Sequence, residues 1–170
     1  KFILIIILSN IYAQATILEP LKSFDDLLLS YVDSLGNVDY GGIIDNPYSF
    51  NQYFEFIEQV SPESHPDYFK TDNSKKAYWI NVYNALILQI MIDNPGKNIL
   101  DIGLIGPEIF LKKFKVGGNK ISPHFIEHKL LRKMGDPRIH FAINCASKSC
   151  PPLGNRILRG NNLDQQLEEK

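Results

Sequence analysis

Apolar positions along the chain follow two rhythms, one helical and one alternating, separated by clusters of Gly, Pro and Asn. The segment from Ala77 to Ile92 (AYWINVYNALILQIMI) contains no charged residue and is the most hydrophobic stretch beyond the first fifteen positions. Its length predicts a buried central helix around 76–92, too short for a membrane span. Before it, Phe50, Tyr53, Phe54 and Ile57 recur at helical spacing and predict a helix over 47–60. Ser23 to Val32 reads as a helix with Ser23 at its cap and Asp26 three residues on. The Gly-containing stretch 36–44 reads as extended, and 61–71 as a loop broken by two prolines.

Beyond the central helix, Asn94-Pro95-Gly96 is a stop signal. Phe114 to Ser122 predicts a β-hairpin turning on Gly117-Gly118-Asn119. Ser122-Pro123 predicts the start of a helix running to Met134, with Ser as cap and Pro in the first turn. Arg138 to Cys145 alternates strictly and predicts a strand. Ile139, Phe141, Ile143 and Cys145 share one face of it. Asn161 to Lys170 reads as a helix start, with Leu163 and Leu167 on its apolar side. These elements give an α+β fold class: a single domain, mainly helical, with a small β-sheet.

Polar residues on faces that ought to be apolar are the informative ones, because burying an unpartnered polar group costs about 1–3 kcal/mol. Asn81 and Asn84 lie on one narrow stripe of the central helix. They either form the hydrogen-bonding wall of a pocket or tie the helix to a neighbouring loop. In the helix after Pro123, Glu127 falls inside the apolar sector, with His124 and His128 at its edge. Glu127 either orients a histidine or makes a structural ion pair with Arg132, Arg138 or a lysine. The same residues spell H-x-x-E-H, the spacing of inverted zinc peptidases, but no third protein ligand is identifiable and no metal site is assigned. In His140 to Pro152 (HFAINCASKSCPP), one histidine and two cysteines could supply a base and a nucleophile. Cys145 and Cys150 could equally close a small loop as a disulfide. A redox pair is a third reading, although the spacing is C-x4-C.

The first residues bear on that choice. Lys1, the apolar run Phe2–Leu8 and Ala13-Gln14-Ala15 follow the order of a cleavable secretory signal over 1–15. The expectation is a periplasmic or secreted protein, which favours oxidised cysteines. The remaining 16–170 suits one domain. The absence of a starting Met leads to the expectation that the sequence begins slightly late, and the helix start near Lys170 that it stops early, so a fragment open at both ends and incomplete at its C-terminus is expected. A net charge of −1 argues against a nucleic-acid partner. No cofactor is expected, and no membrane span after signal cleavage.

Three segments carry a family resemblance. Trp79 to Leu86 (WINVYNAL), Ile126 to Arg132 (IEHKLLR) and His140 to Leu153 (HFAINCASKSCPPL) resemble, in the right order, motifs of the bacterial branch of the domain of unknown function 547 family. Asn37-Val38-Asp39-Tyr40 is similar to that family's early V-D-Y element. The resemblance implies the fold and an exported bacterial setting, and supplies no reaction. Two functions are carried forward, with a zinc peptidase-like protein as a distant third. One is a thiol-dependent hydrolase or acyl-transfer enzyme, with Cys150 or Cys145 as nucleophile, His140 or His128 as base, and Glu127 or an Asn as orienting group. The other is a non-catalytic binding or scaffold domain with a structural disulfide, taking a small-molecule or peptide ligand. Trp79, Asn81, Asn84, Arg132 and Asn144 are the candidate binding residues.

Overall fold

The computed structural model describes residues 2–102 and 107–170, with the side chains of 17–102 and 108–170. The expected signal segment 1–15 lies outside the residues whose side chains are described. Helix α1 (Phe2–Tyr31) is followed by α2 (Tyr40–Asp45), α3 (Tyr48–Gln59) and a 3-10 turn at Pro66–Tyr68. Next come the central α4 (Asp72–Ile92), two 3-10 turns (Ile99–Asp101 and Pro107–Leu111), and strands β1 (Phe114–Val116) and β2 (Asn119–Ile121). Helix α5 (Pro123–Phe125) runs on into a π-helical turn (Ile126–Leu131) and a 3-10 turn (Arg132–Met134). Helices α6 (Ile139–Ala142) and α7 (Leu163–Glu168) complete the described elements. This is the mainly helical α+β domain with a small sheet that the sequence predicts.

Helix α4 is the axis of the core. Thr71 and Ser74 form a reciprocal capping box at its N-terminus, satisfying donors that the first turn leaves open. Its residues are buried on every face from Lys76 to Leu88, as expected for a helix without a polar side. Helix α3 brings Phe50, Tyr53 and Ile57 onto the core, and Tyr53 stacks on Phe24 of α1 at 4.1 Å between ring centroids. Gly117 and Gly118 both adopt positive φ (55° and 82°), as a two-residue hairpin turn requires. Their amides donate to Ile57 and Glu58 carbonyls at 2.8 Å, which ties the hairpin to the end of α3. Ser122 caps α5 by accepting from the Phe125 amide, with Pro123 in the first turn. Leu163 and Leu167 bury the apolar side of α7.

Three expectations are corrected. Ser23 is not a cap, because α1 continues through it and through Pro20; its hydroxyl instead donates to Gln52 at 2.7 Å. The 36–44 stretch is only partly extended. Val38 bridges Val32, and the chain then turns into α2, capped by the Asp39 carboxylate. Arg138 to Cys145 is not a strand. It forms the single helical turn α6 followed by extended residues, and no described strand pairs with it. Ile139 is buried while Phe141 is 57% exposed, so the two do not share a buried face.

Candidate functional site

The two asparagines of α4 act as backbone clamps. Asn81 Nδ2 donates to the Leu158 carbonyl at 2.8 Å, and the Leu158 amide donates back to Asn81 Oδ1 at 2.9 Å. Asn84 Nδ2 donates to the Ala142 carbonyl at 3.0 Å, and its Oδ1 accepts from the Asn144 amide at 2.9 Å. Each side-chain amide reproduces the donor and acceptor of a neighbouring strand, which an extended chain needs when no strand is present. Asn81 also lines an apolar cavity of about 210 Å³ with Phe69, Tyr78 and Leu158.

The cysteine loop grows from the Asn84 clamp. Asn144 donates through Nδ2 to the Pro151 carbonyl at 2.7 Å and accepts the Ala146 amide at 2.8 Å, so one side chain pins both ends of the loop. Cys145 and Cys150 are joined as a disulfide, with Cα atoms 6.0 Å apart. Ser147 Oγ lies 3.3 Å from the Cys145 sulfur, 3.6 Å from that of Cys150, and 3.1 Å from Ser149 Oγ. Ala146 takes a left-handed conformation (φ 56°) that residues with a Cβ seldom adopt, held there by the Asn144 contact. Downstream, Pro152 lies so close to Gly36 (φ 81°) that a Cβ there would overlap it. The early Asn37–Tyr40 motif therefore adjoins the turn that backs the cysteine loop.

The second group sits on the irregular helix after Pro123. π-helical turns frequently mark functional sites, because the extra residue displaces side chains from the regular helical rows. Here the turn carries Glu127 and His128. The Glu127 carboxylate, 19% exposed, accepts from Arg132 Nη2 at 2.9 Å, and His128 Nε2 lies 3.9 Å from it. Arg132, rather than Arg138, is thus its ion-pair partner. Burial holds His128 below its ordinary value; Glu127 opposes that, while Arg132, His124 and Lys129 add to it. Burial, with a smaller contribution from the Glu127 charge, pushes the Tyr83 phenol up. The His124 and His128 rings lie 4.3 Å apart. Among the described residues, no group of three or more His, Cys, Asp or Glu gathers around them to hold a metal.

The sequence-derived candidates thus fall into two groups. Asn84, Asn144, Cys145 and Cys150 come together; so do Glu127, His128 and Arg132. No hydrogen bond or ion pair joins the groups among the described residues. His140 is exposed on α6 and bonds to neither through its side chain, and Trp79 is buried in α4 at 1% exposure. Sequence reasoning missed the ion cluster in which Asp136 binds Lys76 Nζ at 2.6 Å and Arg138 at 2.9 Å. Arg138 also donates to Asp164 and Glu168, fastening α7. The available signal was Lys76, directly before the charge-free run 77–92 of the buried helix.

A cavity of about 360 Å³ opens beside the hairpin, with Trp79, Ile121, Phe125 and Leu130 as apolar walls and Glu63, Asn119 and Lys120 as its polar lining. Of these residues, only Trp79 stands out in the sequence.

Comparison with known proteins agrees with the motifs. A family model described as "Protein of unknown function, DUF547" matches residues 67–170, which include the three longer motifs and exclude the early Val38-Asp39-Tyr40 element. Neither the curated proteins nor the solved structures yield a match. With more than half of its length matched, the chain belongs to the DUF547 family.

Proposed function

We propose that this chain is a non-catalytic binding domain of an exported protein, built around a structural Cys145–Cys150 disulfide. The supporting observation is the pairing of the two sulfurs inside a loop pinned by Asn84 and Asn144. A bonded cysteine has no thiolate with which to attack a substrate. The signal-like residues 1–15 fit this reading, since an oxidising compartment keeps such a pair closed. Its ligand is a small molecule or peptide. The test is iodoacetamide treatment of protein secreted by an oxidising host, followed by intact mass. No label is expected without reductant, and two are expected after reduction and unfolding. A labelled Cys150 or Cys145 in the native, unreduced protein would overturn the reading.

A second reading is favoured by the Glu127–His128–Arg132 arrangement: a thiol-dependent hydrolase or acyl-transfer enzyme that works when the pair is reduced. The neutral form of His128, stabilised by burial, is the form able to accept a proton. It predicts ester hydrolysis that appears with reductant and disappears in both Cys150→Ser and His128→Gln variants. Activity retained in either variant removes it.

A further inference from the structure

The Cys145–Cys150 bond is one of several ties on its loop, and the others do not depend on it. Asn144 donates to the Pro151 carbonyl at 2.7 Å and accepts the Ala146 amide at 2.8 Å, and the Cys150 amide donates to the Ser147 carbonyl at 3.1 Å. Asn84 accepts the Asn144 amide from the buried helix. These bonds hold both ends of the loop whether or not the sulfurs are joined. With a sequence separation of only 5, the bond constrains little chain, so the fold does not rest on it alone. The loop is also open to attack. Neither cysteine is buried, and Lys148 and Ser149 between them are exposed. Lys148 is the only charge of the loop and attracts an approaching thiolate. Ser147 Oγ lies 3.3 Å from the Cys145 sulfur and 3.6 Å from that of Cys150. A disulfide sulfur carries no proton, so the hydroxyl is the donor in both contacts, and Ser149, at 3.1 Å, donates to it in turn. Such a donor matters far more to a thiolate than to a neutral sulfur, because hydrogen bonds to charged acceptors are about twice as strong.

We propose that Cys145–Cys150 is a thiol–disulfide exchange site, opened and closed by a dithiol while the domain stays folded, with Cys145 as the leaving sulfur and Ser147 as the residue that positions a donor on it. The inference rests on the binding-domain reading and adds redox control to it: the cysteines trade electrons with the dithiol and attack no ligand. One thiolate of the reductant attacks Cys150 Sγ. The bond to Cys145 breaks, and its electron pair stays on Cys145 Sγ, where the Ser147 hydroxyl stabilises the thiolate. The second thiol of the reductant, as its thiolate, then attacks the reductant's own sulfur in the mixed disulfide and releases Cys150. Two electrons and two protons pass to the protein, and the dithiol leaves as a cyclic disulfide. A better-stabilised thiolate leaves faster, which sets this order. The Asn144 clasp keeps the two thiols adjacent, so an oxidised dithiol closes the loop again by the reverse steps.

The test is reduction of the intact chain by dithiothreitol, trapped with excess N-ethylmaleimide and read by intact mass, with near-ultraviolet circular dichroism as the measure of fold. The rate is expected to rise in proportion to dithiothreitol and to stay flat in low urea, because the site reacts in the folded chain. A route through global unfolding would instead accelerate by about tenfold per molar urea. The reduced chain should keep its circular dichroism and reclose when oxidised dithiothreitol is added. Ser147→Ala should slow reduction about fivefold, the scale of one hydrogen bond, and Ser147→Thr should restore the rate. A urea-accelerated rate, loss of the folded signal on reduction, failure to reclose, or an unchanged rate in Ser147→Ala overturns the proposal. Labelling without reductant stands apart from these results. A closed pair that resists reduction in the folded chain rejects the exchange site alone, and thiols already free reject the binding-domain reading itself.

Discussion

The cysteine loop and the helix after Pro123 both gather polar residues beside the same central helix, and they treat them in opposite ways. In the loop, the side-chain amides of Asn84 and Asn144 are each spent twice on backbone groups, and the two sulfurs on each other. In the helix, Glu127 keeps one short contact, to a half-exposed arginine, and His128 keeps none shorter than 3.9 Å to a charged partner. The polar groups of the first region hold a conformation; those of the second remain available to a ligand or a proton. Residue type alone does not tell the two apart. An asparagine that clamps and an asparagine that lines a pocket look the same until its partners are known.

The comparison predicts unequal costs. The largest belongs to the cluster that anchors the C-terminal side of the loop region. Asp136→Ala leaves Lys76 buried without its carboxylate and should destabilise by about 3–5 kcal/mol in chemical denaturation. Hydrogen bonds from Arg138, reinforced by Lys76, hold the Asp136 carboxyl well below the ordinary carboxylate range. Its stabilisation is therefore complete above the ordinary value of 3.8 and is lost as pH falls below it. Acid denaturation curves of wild type and variant should converge toward low pH, and parallel curves would refute the assignment.

Next in size is Asn84→Ala. It strips a donor from Ala142 and an acceptor from Asn144 in a buried setting, at about 2–3 kcal/mol. An Asn84→Asp variant keeps the acceptor but sets a carboxylate oxygen against the Ala142 carbonyl in a buried setting, so it should cost at least as much as the alanine variant. If both variants melted like wild type, the clamp would be no more than an incidental contact.

The smallest effect is expected on the other side. Arg132→Ala removes a half-exposed pair and should cost no more than about 1 kcal/mol. His128→Gln tests the same region by pH. Because burial lowers the folded His128 pKa, the unfolded chain takes up its proton first as pH falls through 6.5. Wild type should lose stability there relative to the variant. A cost at Arg132 as large as that at Asn84 would erase the distinction between the two regions.

Much of this architecture is legible in the sequence, wherever local chemistry decides it. The charge-free run through Trp79 and Leu86 can only be buried. Ser122-Pro123 can cap and start a helix, and Gly117-Gly118 can turn a hairpin. Legibility fails where a distant partner decides. The alternation of Ile139, Phe141 and Ile143 fits a strand, yet among the described residues no strand lies alongside, and Asn84 supplies instead the bonds that an extended residue 143 needs. Gly41 and Gly42 hide the short α2. Its cap is Asp39, and a Cβ on Gly42 would collide with the Tyr31 ring. At the candidate site the motifs name the right neighbourhood. They do not reveal that Asn144 is a loop clasp or that Asp136 gathers Lys76 and Arg138.

The central claim is that Cys145 and Cys150 serve the fold rather than a reaction, and the stability of the bond measures that directly. Closing so short a loop should be worth about 2 kcal/mol in the unfolded chain. Urea denaturation of the oxidised protein and of the Cys145→Ala/Cys150→Ala variant should differ by that amount, with the oxidised form the more stable and the slopes alike. Equal stability, or a more stable variant, would show that the bond does not support the fold and would contradict the account.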